Sequence, residues 1–409
     1  VNAIQKVNVI GLGYIGLPTA ATLANAGFDV LGVEVNPKII EKINTGSIHI
    51  QEPGLDILVR AAFQRGKLRA SADPEEADAH IIAVPTPINE DKSPGLSYVE
   101  AASKTIARVV RAGDLVVLES TVPPRTCEEV VAPILYEATG LRADRDYFLA
   151  HCPERVIPGK ILEEIIHNDR IIGGVAPEAT KRTVELYASF VKGKLLETDA
   201  TTAEMCKLME NTFRDVNIAL ANELANIAEQ IGVNIEEAIR FANHHPRVHI
   251  HTPGIGVGGH CIPIDPWFIV HAAPDHSRLI QTARKINDAR PRQMAEKVAG
   301  ALEAYPGNPV AFFGLSYKSD VDDVRESPAI EIVHLVAERF SRPIYVVEPF
   351  TEELPEPLTR YAHVHLADTE TALEKAGILV GLVAHSAFKK IDTGRFAGRC
   401  VLDFVRLWD

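Results

Sequence analysis

Cys261 stands at the end of a run of glycines. Residues 254–266 read GIGVGGHCIPIDP, with glycine at positions 254, 256, 258 and 259. Lacking Cβ atoms, such a loop can bring its backbone against a ligand, and its N–H groups can face an anion. A thiol there is placed to act as a nucleophile, because a reactive thiolate needs a polar, electropositive and accessible niche. Asp265, four residues on, is placed to steer a proton or a water near the sulfur. The competing reading is a buried, inert cysteine.

Lys207 and Asn211 are i and i+4 in a stretch with helical spacing, so they share a face, and Arg214 follows on the next turn. A cation beside an amide can hold a developing oxyanion. The alternative is a solvated helix face with ordinary polar pairs. Residues 152–155 read CPER after a strand-like run. Glu154, at a strand end, is placed to hold a water. Cys152 is a rival nucleophile without a glycine fan. Lys318 and Arg325 lie in a loop between a strand and a helix start, which suits phosphate contacts or, alternatively, a salt-bridged surface loop. Histidines 244, 245, 249, 251 and 260 have no carboxylate or cysteine at a familiar ligand spacing, so no metal centre is expected.

Residues 11–16, GLGYIG, form a G-x-G-x-x-G loop. The loop follows a strand, opens a helix and leads to a second strand ending at Glu34, 18 residues beyond Gly16. This is the context in which the pattern binds a dinucleotide. Gly11 allows the tight turn, Gly13 lets the backbone approach the pyrophosphate, and Gly16 permits close packing of helix on strand. Glu34 would accept hydrogen bonds from the adenosine ribose and repel a 2′-phosphate, which favours NAD over NADP. Pro85 and Thr86, and Thr121 in EST, follow the carboxyl ends of later strands, where open α/β sheets bind ligands.

The elements that must position these residues follow from periodicity. Strands are expected at 6–10, 28–34, 80–84, 115–119 and 147–150, with helices at 18–26 and 98–110, which implies a parallel sheet covered by helices on both faces. Residues 202–231 carry apolar positions at three- and four-residue spacing and predict one long helix, followed by a second at 235–243. The β/α alternation returns with strands at 309–313, 343–348, 378–383 and 401–403 and a helix at 327–340. The expected fold class is therefore α/β, with two Rossmann-like doubly wound domains joined by a central all-helical domain with one long helix. The boundaries are 1–198, 199–304 and 305–409.

The chain has 409 residues and a formal net charge of −13, which argues against generic binding to a nucleic-acid backbone. No apolar run reaches the ~20 residues of a membrane span, and no signal-peptide pattern opens the sequence. The five cysteines are widely spaced, with no C-x-x-C pair, and read as reduced thiols in the cytoplasm.

Together these residues resemble the UDP-sugar 6-dehydrogenase family over nearly the whole chain. GLGYIG, VPTP, EST, CPERVIPG, EMCKLMENTFRDVNIALANE, GVGGHC-x-x-x-D and GLSYKSDVDDVRESPA carry the resemblance. HPRV with GVGGHCI and DPWFIV is most similar to the bacterial UDP-N-acetyl-D-mannosamine branch, and His260 departs from the serine usual in the glucose branch. The resemblance implies oxidation of a sugar C6 alcohol to a carboxylate with two NAD⁺, through a Cys261 thiohemiacetal and thioester. It assigns Lys207 and Asn211 to oxyanion stabilisation, with Lys207 a candidate base. Asp265, Glu154 and Thr121 would serve the water. It places Gly11, Gly13, Tyr14, Ile15, Gly16, Glu34, Pro85, Thr86, Thr121 and Arg325 at NAD. It places Glu154, Arg155, Lys207, Asn211, Arg214, Arg247, Gly258 and Lys318 at the UDP-sugar, with Arg247 reaching across from a neighbouring subunit of a homodimer or larger assembly. A UDP-GlcNAc or other UDP-hexose substrate remains the alternative.

Overall fold

In the computed structural model, residues 3–408 are described. They form two compact units, one running to Glu210 and including Trp267–Pro274, the other built from Asn211–Pro266 and residues 275 onwards.

The first unit holds eight strands: β1 (Lys6–Ile10), β2 (Asp29–Val33), β3 (Leu68–Ser71), β4 (Ala79–Ile82), β5 (Leu115–Leu118), β6 (Phe148–His151), β7 (Arg170–Gly174) and β8 (Leu195–Asp199). Their order is β3-β2-β1-β4-β5-β6-β7-β8. The central strands are short Val, Ile and Leu runs because helices cover both faces. Val9, Ile81 and Val117 enter the core on one face, while Ile10, Ile82, Val116 and Leu118 enter the core on the other. The expected parallel sheet holds from β3 through β6 and then breaks. β7 pairs antiparallel with β6, Ala150 opposite Gly174 and His151 opposite Gly173, and β8 runs parallel to β7. Apolar runs report burial, not direction, so nothing local distinguished this strand from its neighbours.

The second unit holds β9 (Val310–Phe313), β10 (Ile344–Val347), β11 (Val364–Leu366), β12 (Ile378–Gly381) and β13 (Cys400–Asp403), all parallel, in the order β11-β10-β9-β12-β13. This repeats the order β3-β2-β1-β4-β5, and the likeness extends to the first loop. The N–H of Gly11 donates to Val33 O, and that of Gly314 donates to Val347 O. Glu34 accepts the N–H of Leu12, while Glu348 accepts those of Leu315 and Ser316.

The long helix is Ala200–Ile231, 32 residues. A second one, Arg278–Ala304, has 27 residues and contains Pro291. The expected long helix is thus present, and a second one that was not expected follows it in the chain. Proline reads as a terminator because it removes a backbone donor and costs about 3 kcal/mol inside a helix. Here packing offsets that cost: Met294, Ala295, Val298 and Leu302 enter the core that also holds Phe312, Ile332 and Val336. The second unit's portion of the first helix is joined to this one by buried polar contacts. Arg284 pairs with Asp215 and Asp288, and Asn287 Nδ2 donates to Asp215 Oδ1 at 2.9 Å. Asn222 Nδ2 donates to Asn287 Oδ1, while Asn222 Oδ1 accepts the N–H of Gly254 at 2.9 Å and Arg290 Nε donates to Gly254 O at 2.8 Å. The start of the glycine–cysteine loop is thereby fixed to both helices. Among the described residues no helix is long and apolar enough to cross a membrane.

Candidate active site

The dinucleotide loop is shaped by its own backbone. Gly11 has φ +90°, and a Cβ there would lie 2.6 Å from Ala83 O. A Cβ on Gly16 would lie 1.8 Å from Gly11 O, so the helix Gly16–Asn25 starts in direct contact with the turn. Gly13 has nothing within 4 Å of its Cβ position, which leaves the backbone open to a ligand. Tyr14 is exposed and Ile15 half-buried beside it. Glu34 accepts from Leu12 N at 3.1 Å through one oxygen and from Asn36 N at 3.1 Å through the other. This pairing holds the acidic residue next to the loop. The open Gly13, the helix N-terminus and the carboxylate at the end of β2 together fit NAD. Thr86 and Thr121 are half-buried and Pro85 is exposed. The Thr121 segment is tied to the long helix, since Glu204 accepts the N–H groups of Arg125 at 2.5 Å and Cys127 at 2.8 Å.

Glu154 is buried and ion-paired with Arg170, whose side chain also lies 3.9 Å from Glu119. Its second oxygen accepts the Arg155 N–H at 2.8 Å. Arg155 pairs with Glu210 at 2.6 Å and donates to Asp169 O. Cys152 is fully buried, and burial pushes its thiol up to about 12, which makes it a poor nucleophile. Glu119 accepts from the hydroxyls of Tyr187 and Thr19. Burial pushes its carboxyl up to about 7, against the lowering pull of Arg170. The folded protein therefore holds this proton longer than the unfolded chain, whose Glu titrates near 4.5. The group's contribution to stability is complete below pH ~4.5 and is lost as pH rises through about 7, a change on the order of 3 kcal/mol. Glu119→Gln removes the titration. In paired thermal melts, the difference in Tm between variant and parent should move in the variant's favour from pH 5 to pH 8.5. A difference independent of pH would show that Glu119 does not titrate in that window.

In the second unit Asn211 and Asp265 meet. Asn211 Nδ2 donates to Asp265 Oδ2 at 2.6 Å, with both residues buried. Asp265 N–H in turn donates to the Cys261 carbonyl at 2.9 Å. The carboxylate is thus oriented by the helix and attached to the thiol's own turn. Cys261 is exposed, and the five cysteines form no disulfide. The glycines before it are packed against protein. Cβ atoms at Gly258 and Gly259 would meet Glu326 O at 2.6 Å and the Tyr317 ring at 3.0 Å. The fan therefore seats the thiol loop on the 317–328 segment. Arg325 makes a two-pronged pair with Asp323 at 2.8 and 2.6 Å. Burial and then Arg325 hold the His260 imidazole below its ordinary range. Lys318 is exposed on a loop held from below, where Asp320 N–H donates to His385 Nδ1 at 2.9 Å and His385 Nε2 lies 3.2 Å from Glu348. Arg214 and Arg247 are exposed, and Lys207 is half-buried on the turn before Asn211.

The residues that sequence reasoning missed are the buried supports: Arg170, Glu119, Glu348 and His385. Arg170 and Glu119 had a signal, a charge at either end of an apolar strand run, but no sequence spacing pairs them.

Residues 5–191 match the NAD binding domain of the UDP-glucose/GDP-mannose dehydrogenase family, residues 201–289 its central domain, and residues 311–409 its UDP binding domain. The chain belongs to this family. It is an NAD-dependent dehydrogenase with a UDP-binding C-terminal domain. It is 51% identical over 410 residues to the NDP-N-acetyl-D-galactosaminuronic acid dehydrogenase of Ralstonia solanacearum, covering 99% of this chain and 96% of that one. It is 47% identical over 416 residues to the UDP-N-acetyl-D-mannosamine dehydrogenase of Escherichia coli strain K12, covering 98% and 99%. The solved UDP-D-ManNAc dehydrogenase of Pyrococcus horikoshii superposes with a TM-score of 0.90 at 42% identity, covering 99% of this chain and 96% of that one. These agree with the expected α/β architecture of two Rossmann-like regions around a helical centre.

Proposed function

We propose that this enzyme oxidises the C6 alcohol of UDP-N-acetyl-D-mannosamine to the uronate, in the cytoplasm, as a precursor for surface polysaccharide. The observation that carries the reading is Cys261: an exposed thiol whose own turn is bonded to the buried Asp265–Asn211 pair. A two-electron dehydrogenase has no use for such a thiol, whereas a four-electron oxidation that ends at an acid needs to capture the aldehyde. Bound NAD⁺ supplies the hydride acceptor for each of the two oxidations. Lys207 takes the alcohol proton and, with Asn211, stabilises the developing oxyanion. Cys261 adds to the aldehyde carbon as a thiohemiacetal, and oxidation leaves a thioester. Asp265, Glu154 and Thr121 position the water that releases the acid and restores the thiol.

In this reading Gly11, Gly13, Tyr14, Ile15, Gly16, Glu34, Pro85, Thr86, Thr121 and Arg325 serve NAD. Arg155, Arg214, Gly258 and Lys318 serve the nucleotide sugar, together with an Arg247 from a second copy. Exposed Met209, Phe213, Leu220, Ile227 and Ile231 recur at spacings of four and seven along the long helix and support a homodimer through it. The three-part division at 198/199 and 304/305 is kept, supported by the three matched family segments.

The Ralstonia relative favours a second reading, a galacto-configured N-acetylated substrate. The test is NADH formed per mole of sugar with UDP-ManNAc, UDP-GlcNAc and UDP-GalNAc in parallel. We expect two NADH from UDP-ManNAc alone. Two from another epimer would overturn the substrate, and one from any of them would overturn the role of Cys261.

A further inference from the structure

We propose that Arg170 is a positioning residue for the reaction: from the head of β7 it fixes the Glu154 carboxylate and, with it, the segment that follows β6. The proposal rests on the reading that Glu154 works at the reacting centre.

The argument begins with strand direction. In β1, β2, β4, β5 and β6 the carboxyl ends lie along one edge of the sheet, where open α/β sheets bind ligands. β7 is antiparallel to β6, so it presents its first residue, not its last, at that edge. Continuing the register Ala150–Gly174 and His151–Gly173 places Glu154 opposite Arg170. The reversal that breaks the parallel plan is therefore what delivers a cation to the end of β6.

The surroundings fit a positioning role. Arg170 is buried, and its Nη2 donates to Glu154 and reaches Ile165 O at 3.4 Å. Its Nη1 lies 3.9 Å from Cys152 Sγ and from Glu119 Oε1. The guanidinium sits over the rings of Tyr187, at 5.1 Å, and Phe190, at 5.8 Å. Glu119 is held from its other side by Thr19, on the helix that the dinucleotide loop opens. A continuous buried chain, Thr19–Glu119–Arg170–Glu154, thus runs from the cofactor helix to the substrate segment. Glu154 is the buried carboxylate in close contact with this cation, so removing the arginine leaves Glu154 without its charge partner.

The test measures kcat, KM for each substrate and NAD⁺ binding by calorimetry, using the UDP-sugar that the parent oxidises. The variants are Arg170→Met, Arg170→Lys, Glu154→Gln and the double variant Arg170→Met with Glu154→Gln. Arg170→Met should lower kcat about 10²-fold, the scale of a small misplacement of a working group, with a much smaller change in NAD⁺ affinity. Arg170→Lys, which keeps a buried cation and preserves folding, should recover part of that loss. The double variant should be no slower than Glu154→Gln alone. A double variant slowed by the product of the two single effects would overturn the proposal. So would parental kcat in Arg170→Met, or in Arg170→Lys if the methionine variant does not fold. Parental kcat in Glu154→Gln would instead overturn the role of Glu154 itself, a separable result.

Discussion

Cys261→Ala should abolish net conversion of the sugar alcohol to the acid while leaving UDP-sugar and NAD⁺ binding largely intact. The thiol is exposed on its turn, so truncation removes the proposed nucleophile without opening a core cavity. The turn is held by main-chain bonds, with Ile264 N–H and Asp265 N–H donating to the Cys261 carbonyl at 3.1 and 2.9 Å, and these survive the change. Asp265 keeps its bond to Asn211. On the proposed route, the aldehyde is then no longer held as a covalent adduct for the second oxidation. We expect the rate of acid formation to fall on the order of 10³-fold or more, as when other covalent nucleophiles are removed. Stopped-flow NADH traces with product analysis by mass spectrometry read this directly. The parent should give two NADH per sugar, and the variant at most one before it stalls. Sustained acid production at the parental rate would refute the thioester route. Cys261→Ser separates nucleophilicity from size and should also fail, because a serine hydroxyl is a weaker nucleophile than a thiol.

Gly16→Ala and Gly13→Ala should fail in different ways, and the contrast tests the dinucleotide loop. A Cβ on Gly16 would lie 1.8 Å from Gly11 O and 3.3 Å from the Ala83 side chain. The first neighbour is backbone in a turn with φ +90° and cannot swing aside. The helix must lift from β1, and the loop opens with it. Overpacking of this kind costs about 3 kcal/mol or more, and in a unit of this size that lowers Tm by roughly 6–12 °C. NAD⁺ binding should be lost along with the stability. Gly13 has open space around its Cβ position, so alanine there leaves the fold untouched. Gly13→Ala should melt with the parent yet bind NAD⁺ weakly, because on the proposed contact the methyl group would occupy the place where the pyrophosphate meets the backbone. Calorimetric titration with NAD⁺ and a thermal melt on each variant suffice. A parental Tm for Gly16→Ala would refute the packing role, and parental NAD⁺ affinity for Gly13→Ala would remove the pyrophosphate from this loop.

The amino-acid sequence alone determined the features that are local in the chain. The G-x-G-x-x-G loop and Glu34 are separated by one helix and one strand, so their spacing carried the cofactor assignment, and the structure holds Glu34 against Leu12. The strands at 115–119 and 309–313 were legible because a buried parallel strand is a near-continuous apolar run. The helix from 200 to 231 was legible because its apolar residues keep a regular period without a proline. Cys261 stood out because glycines and Asp265 lie within a few residues of it.

Tertiary structure decided what depends on partners distant in sequence or on direction. Asn211 and Asp265 are 54 residues apart, and only folding makes them a hydrogen-bonded pair. Arg284 finds Asp215 across 69 residues. The helix Arg278–Ala304 was hidden by Pro291, whose local cost is offset by core contacts that no short window contains. The glycine fan reads in sequence as open space for a ligand, yet Tyr317 and Glu326 occupy much of that space. The reversal of β7, which sets Arg170 opposite Glu154, follows from which edge of the sheet the chain re-enters. Apolar patterning records how deeply a strand is buried but carries no sign for its direction, so the arginine that holds Glu154 became visible only when the strands were placed side by side.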